Sequence, residues 1–160
     1  MEAVEFSPIG LIHTPFTSPE NMPIQPAGAK GIRGTIELLP EFVEGTKDLE
    51  GFSHIILLYH FNRVQRSSLT VTPFMDLHPH GVFATRMPAR PNPIGLSVVR
   101  LLGIEGNILK LENVDMLDGT PLLDIKPYVA DFDIHTCERE GWLSGTTHRV
   151  FDKRSDGRLA

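Results

Sequence analysis

Cysteine is almost absent from this chain of 160 residues, and its single cysteine, Cys137, excludes an intrachain disulfide and a multi-cysteine metal site. Long apolar runs are also missing, because none approaches the ~20 residues that a bilayer-spanning helix needs. The first residues do not combine a basic region with an apolar stretch, so we expect no secretory signal. These absences predict a cytoplasmic protein without a membrane partner.

Positive charge is scarce over the chain as a whole. The formal net charge is -5 and the sequence pI is about 5.8, which is not the balance of a protein that holds nucleic acid by bulk electrostatics. Half of the arginines nevertheless fall within one third of the chain: Arg63, Arg66, Arg86, Arg90 and Arg100. This local basic face permits a polynucleotide partner without requiring one.

Long helical patterns are missing too, and short strand patterns take their place. Strands are predicted at residues 4–13, 31–38, 53–61, 68–74, 94–104, 108–114 and 121–129, with Glu105-Gly-Asn107 as a hairpin turn. The first of these contains Pro8 and is predicted to be an edge strand. Residues 40–49 are the best helix candidate, and residues 14–28 form a long loop with four prolines. The pattern favours an antiparallel sheet, closed into a barrel or folded as a sandwich, over a βαβ fold.

One segment, residues 81–97, has an unusual composition. It holds Arg86, Arg90 and Asn92, separated by three prolines: Pro88, Pro91 and Pro93. Proline fixes φ and removes a backbone donor, so the proline-rich part is predicted to be a stiff loop. Two guanidinium groups on a stiff loop suit an anion or a planar polar ligand, although both arginines are also suited to tying loops to backbone carbonyls.

Four stretches of the sequence, in this order, resemble one known family. They are Pro23-Ile-Gln25, Gly51-Phe-Ser-His-Ile55, Phe83-Ala-Thr-Arg-Met-Pro-Ala-Arg-Pro-Asn-Pro-Ile-Gly-Leu-Ser97 and Asp118-Gly-Thr-Pro-Leu-Leu-Asp-Ile-Lys-Pro-Tyr128. The chain resembles the TsaA-like (TrmO) family over residues 4–135, with residues 136–160 as a C-terminal tail. The resemblance implies a mainly β fold, a single-sheeted closed antiparallel β-barrel with short helices and long loops, that forms a homodimer.

The resemblance also implies an activity. Family members are enzymes that use S-adenosyl-L-methionine to methylate N6 of threonylcarbamoyladenosine next to the tRNA anticodon. Carried over position by position, the cofactor contacts are Pro23, Ile24, Gln25, Phe61, Asn62, Arg86, Leu96, Met116, Leu117, Asp118 and Gly119. Two alternatives stay open: an S-adenosylmethionine-binding module without tRNA activity, and a small-molecule methyltransferase.

Substrate and proton-transfer residues follow from the same motifs. Arg86 or Arg90 is expected to bind the carboxylate of the threonyl group, and Asn92 is a further substrate candidate, although a loop asparagine often bonds its own backbone. Asp118 and His80 are the candidate general bases, and the sequence does not choose between them. The histidines lack further ligands at metal-site spacing, so no metal is expected.

Overall fold

Six antiparallel strands close into a barrel in the computed structural model of the protein, which describes residues 2–156. The barrel strands are β1 (Gly10–His13), β2 (Arg33–Leu38), β3 (His54–His60), β6 (Ile94–Glu105), β7 (Ile108–Glu112) and β8 (Thr120–Pro127). A separate two-stranded ribbon pairs β4 (Thr70–Val71) with β5 (His80–Gly81). The order around the barrel is β1-β2-β7-β6-β3-β8, with β8 pairing back to β1. The predicted closed antiparallel barrel is confirmed.

Alternating side chains on the long strands fill the barrel. On β3 the inward residues are Ile55, Leu57 and Tyr59, each at most 4% exposed. On β6 the buried positions alternate in the same way, but Gly95 and Ser97 stand where larger apolar residues would be expected. These two small residues leave room for polar groups near one end of the core.

The hairpin between β6 and β7 confirms a local prediction. The residues Glu105-Gly-Asn107 connect the two strands, and Gly106 adopts a φ of +61° that glycine tolerates best. The side chain of Asn107 ties the turn to the end of β2 by donating to the backbone carbonyl of Leu38 at 3.0 Å.

Three local predictions are corrected by the structure. Residues 4–13 contain no edge strand, because β1 pairs with both β2 and β8 and a closed barrel has no edge. The predicted helix at 40–49 is a 3₁₀ helix at Pro40–Thr46, in which Val43 and Gly45 are poor α-helix formers and no residue is buried. The predicted strand at 68–74 shrinks to Thr70–Val71. Further 3₁₀ turns lie at Pro26–Gly28, Leu49–Gly51 and Val82–Ala84, and the last of them opens the proline-rich segment.

Three long loops meet at one end of the barrel, which we call the mouth. Because neighbouring strands run antiparallel, β1, β3 and β7 end at this end, and β2, β6 and β8 begin there. The first mouth loop covers residues 14–32, the second covers 61–93 and the third covers 113–119. Nearly all of the predicted site residues lie in these loops.

The chain after the barrel returns to the mouth. It contains a one-turn helix, α1 (Ala130–Asp133), and 3₁₀ turns at Gly141–Leu143 and Thr147–Phe151. Arg154 then forms an isolated bridge with Pro23, and Ser155 bonds the backbone of Met22 in both directions. Across residues 2–156, no helix has the length and apolar character needed to cross a membrane.

Candidate active site

A hydrogen bond joins the first and second mouth loops. Nη1 of Arg86 donates to Oε1 of Gln25 at 2.8 Å, across 61 residues of sequence. Arg86 is exposed and Gln25 is half-buried, so the guanidinium group lies at the surface of the mouth. Because this is the one hydrogen bond that the Arg86 side chain makes within residues 2–156, most of its five guanidinium donors are available to a ligand.

The third mouth loop is bonded to the first. Oδ1 of Asp118 accepts from the backbone N–H of Thr14 at 3.1 Å, and Nδ1 of His13 lies 3.4 Å from it. The hydroxyl of Thr14 donates to the carbonyl of Met116 at 2.8 Å. Gly119 has a φ of +74°, which closes the turn at the start of β8. The segment Met116 to Gly119 is therefore both a turn and part of the mouth.

Arg63 connects all three loops and was not among the predicted site residues. From the second loop it donates to the carbonyl of Thr17 in the first loop at 2.9 Å and to the carbonyl of Asp118 in the third at 3.2 Å. A single arginine just after a buried strand gives little sequence signal, and its position in the arginine-rich third of the chain is the clue available.

Arg90 binds within its own loop. Its Nη1 donates to the carbonyls of Thr85 at 3.2 Å and Met87 at 3.4 Å. The backbone carbonyl of Asn92 accepts from the backbone N–H of Ile94 at 2.8 Å. Asn92 itself is exposed. Both residues therefore help to shape the loop, and their roles toward a substrate remain predictions.

The other predicted cofactor residues surround the same end of the barrel. Pro23 is buried and Ile24 is half-buried in the first loop. Phe61 packs edge-on against Tyr59 with ring centroids 5.3 Å apart, and Asn62 follows it at the surface. Leu96 lies on the outer face of β6 and is 50% exposed. The structure thus brings the predicted residues to the mouth, with Leu96 on its outer wall.

A buried polar cluster lies beneath the loops and was not predicted. The hydroxyl of Ser97 donates to Oδ1 of Asp115 at 2.7 Å, and the hydroxyl of Tyr59 lies 3.0 Å from Oγ of Ser97. Because Ser97 gives its one proton to the carboxylate, Tyr59 donates to Ser97. Polar residues at inward positions of β3 and β6 were the sequence signal for this cluster.

Burial controls the acid–base properties of the cluster. It raises the pKa of Asp115 to about 7, while the hydrogen bond from Ser97 and the positive charge of Arg86 oppose the rise. Burial, reinforced by the charge of Asp115, also raises the pKa of Tyr59 far above its ordinary value. Tyr59 therefore stays protonated at neutral pH, whereas Asp115 changes charge near neutrality.

His80 belongs to a second polar group, beside the tail. Its Nε2 lies 2.8 Å from Oδ2 of Asp76, and its ring stacks on Trp142 with centroids 4.6 Å apart. Hydrogen bonds from His80, and then from His78, hold the pKa of Asp76 well below its usual range. Nε1 of Trp142 donates to the carbonyl of Ala84 at 2.8 Å, so this tryptophan anchors the tail to the second loop. Among the residues described, no group of three or more His, Cys, Asp or Glu side chains is arranged to hold a metal ion.

Comparison with known proteins identifies the family. The model of the tRNA-methyltransferase O N-terminal domain matches residues 11–134. The chain belongs to this family. It is 58% identical over 154 residues to a probable S-adenosyl-L-methionine-binding protein of Pyrococcus abyssi, covering 96% of this chain and 84% of that one. It is 36% identical over 133 residues to a mouse tRNA (adenine(37)-N6)-methyltransferase, covering 79% of this chain and 31% of the mouse protein.

A solved structure has the same fold. The crystal structure of TrmO from Pseudomonas aeruginosa matches with a TM-score of 0.74 and 44% identity, covering 88% of this chain and 63% of that one. The chain therefore spans less than two thirds of the solved protein. Membership of the TsaA-like (TrmO) family, with S-adenosylmethionine-dependent methyltransferases among its members, is confirmed.

Proposed function

We propose that this protein binds S-adenosyl-L-methionine at the barrel mouth and transfers its methyl group to N6 of threonylcarbamoyladenosine next to a tRNA anticodon. The observation that carries the proposal is the Arg86–Gln25 hydrogen bond. It joins the family motif at residues 23–25 to the motif at residues 83–97, at the end of the barrel where the motif at residues 118–128 begins. With tRNA as the substrate, the cytoplasm is the proposed location.

The residues at the mouth fit such a methyl donor. Its carboxylate would accept from the guanidinium group of Arg86, whose bond to Gln25 leaves further donors. The rings and chains of Phe61 and Leu96 offer apolar surface to its adenosyl group. Pro23, Ile24, Gln25 and Asn62, with the turn Met116–Gly119, complete the proposed contacts, and the bound donor supplies an electrophilic methyl group.

The substrate side of the proposal uses Arg90 and Asn92. Both hydrogen bonds that the Arg90 side chain makes to the described part of the chain leave from Nη1, so its Nη2 and Nε are proposed as donors for the threonyl carboxylate. Asn92 is exposed at the mouth beside it and would bond the base or the sugar. Asp118 and His80 remain proposed base candidates, although each already binds a protein partner.

Alignment of donor and acceptor is the main catalytic requirement. Methyl transfer from a sulfonium is an in-line displacement, which is accelerated when the two reacting atoms are held near contact distance. Arg63 holds the three loops together through backbone carbonyls, and the prolines between Arg86 and Asn92 limit the motion of the second loop. The chain thus provides a rigid frame without a covalent nucleophile.

A homodimer is also proposed, with the outer face of β3 and β6 as its interface. Ile94 and Leu96 point outward from β6 at 40% and 50% exposure, and Leu58 lies opposite Leu96 on β3. An apolar strand face of this kind is suited to burial against a second copy. The mass of the wild type and of Ile94→Glu by light scattering tests this, and a monomeric wild type would contradict it.

The division into a barrel at 4–135 and a tail at 136–160 is a proposal as well. The tail contacts the second loop through Trp142 and the first loop through Ser155. We therefore propose that the tail stabilises the site by holding these two loops. Residues 157–160 of the tail lie outside the described residues.

The experiment that tests the function is methyl transfer to tRNA. Labelled S-adenosylmethionine is incubated with tRNA that carries threonylcarbamoyladenosine and with the same tRNA lacking it. Label is expected in the modified tRNA alone, and Arg90→Ala is expected to reduce it. Label in neither tRNA would contradict the proposed tRNA methyltransferase activity. It would favour an S-adenosylmethionine-binding module without tRNA activity, which the net charge of -5 also suits.

A further inference from the structure

Asp115 lies in the third mouth loop, among the residues of the proposed site. It precedes Met116, the first of the predicted cofactor residues in the third loop, and it is half-buried rather than sealed in the core. Ser97 and Tyr59 fix its position from below, through a chain of two hydrogen bonds at 2.7 and 3.0 Å. Such a chain fixes the carboxylate before a substrate arrives.

We propose that Asp115, held by Ser97 and Tyr59, is the general base that accepts the N6 proton of the acceptor nucleoside during methyl transfer. The proposal rests on the proposed function and names the proton acceptor of that reaction. The N6 nitrogen lies between a purine and a carbonyl, so it is a weak nucleophile and a better acid than a simple amine. Removal of its proton therefore helps the attack.

The step balances without another reactant. The bond from the methyl carbon to the sulfonium sulfur breaks, and its electron pair stays on sulfur as a neutral thioether. The bond from the methyl carbon to N6 forms as the N6–H bond breaks, and the proton passes to the carboxylate of Asp115. The protonated Asp115 then releases this proton to solvent.

The two other base candidates are less suited to this role. Oδ1 of Asp118 accepts from the backbone of Thr14 and lies beside His13, so that carboxylate holds the turn. Nε2 of His80 faces Asp76, and its ring is covered by Trp142. Asp115, by contrast, has a pKa of about 7, close to the optimum for a base that works at neutral pH.

The surroundings of Asp115 set the expected pH dependence. The charged and titratable groups that act on it within residues 2–156 are Arg86 from the second loop and Tyr59 from β3. Tyr59 remains protonated over the working range, so it does not introduce a second inflection near neutral pH. The rate of methyl transfer is therefore expected to rise with pH and to level off above about 7.

The test measures single-turnover methyl transfer to threonylcarbamoyl-modified tRNA against pH, together with S-adenosylmethionine binding by calorimetry. Asp115→Asn is nearly isosteric and is expected to lower the rate by about 10²–10⁴-fold, to remove the inflection and to change the affinity by less than about threefold. Asp131→Asn, an exposed carboxylate in α1, is the matched control and keeps the wild-type profile.

Ser97→Ala supplies two further readouts, of which the second does not require the loaded enzyme. Because the Ser97 hydroxyl lowers the pKa of Asp115, its loss is expected to move the kinetic inflection to higher pH. A ¹³C NMR titration of the Asp115 carboxyl in the cofactor-free protein is expected to move in the same direction.

Three results would overturn the role of Asp115 alone. They are an Asp115→Asn variant that keeps its rate or inflection, an Asp115→Asn variant that loses cofactor binding, and a Ser97→Ala variant that titrates like the wild type. A wild type that binds S-adenosylmethionine but methylates no tRNA would overturn the proposed function and the proton-transfer role with it.

Discussion

The ring of Tyr59 occupies the space where a side chain at Gly95 would lie. A Cβ built on Gly95 falls 2.2 Å from Cε2 of Tyr59, although real contacts of this kind stay beyond 3 Å. The backbone of β6 can therefore approach β3 closely at this position, and the hydroxyl of Tyr59 reaches Ser97, the next inward residue of β6. A missing side chain on one strand thus positions a polar group of its neighbour.

Gly95→Ala is expected to destabilise the protein. Tyr59 is 4% exposed, so its ring cannot move aside without repacking the core, and overpacking of this kind typically costs about 1–3 kcal/mol. Urea denaturation measures the change. Gly81→Ala is the control, because a Cβ there meets nothing within 4 Å and its φ of -59° suits alanine. Equal stability of the two variants would contradict the prediction.

Arg86→Ala is expected to weaken S-adenosylmethionine binding at least about tenfold. The substitution removes a charge-assisted bond to the donor's carboxylate, typically about 1.5–3 kcal/mol, and releases Gln25 from the second loop. Isothermal calorimetry measures the affinity. Arg100→Ala is the control, since Arg100 is exposed on β6 and faces Glu112 rather than the loops. If the two variants bind equally well, Arg86 does not serve the cofactor.

Asp115→Asn is expected to alter how stability depends on pH. Folding raises the pKa of Asp115 from 3.8 to about 7, so the folded wild type binds one more proton than the unfolded chain between these values. The contribution of this proton to the free energy of unfolding is fully present below about pH 4. It is lost as the pH rises toward 7, with a slope of up to about 1.4 kcal/mol per pH unit. The variant lacks this contribution. The free energies of unfolding of wild type and variant, measured by denaturation and plotted against pH, should therefore converge or cross in that range. Parallel plots would show that Asp115 does not titrate with a raised pKa in the folded protein.

His80→Ala is expected to expose Trp142. Trp142 is the only tryptophan of the chain, so its fluorescence reports the docking of the tail on the second loop. Loss of the stacked ring should increase acrylamide quenching and shift emission to longer wavelength. His148→Ala, an exposed histidine in the tail, is the control and should leave the spectrum unchanged. Unaltered quenching in His80→Ala would show that the stack does not hold the tail.

Local composition was sufficient to predict several parts of the molecule. The prolines around Arg90 predicted a stiff loop because proline restricts φ whatever surrounds it. The sequence Glu105-Gly-Asn107 predicted a hairpin because Gly106 accepts a positive φ. The edge assignment of the first strand failed, because closure of the barrel depends on β8, which follows more than a hundred residues later.

The sequence by itself determined the six barrel strands, the stiff loop and the membership of the family, since each depends on residues close together or on motifs read in order. Tertiary structure alone decided which polar residues share one environment. Tyr59, Ser97 and Asp115 are separated by up to 56 residues, and no local pattern joins them. They meet because β3 pairs with β6 and β6 pairs with β7, and burial then gives Asp115 a pKa that an exposed carboxylate does not have.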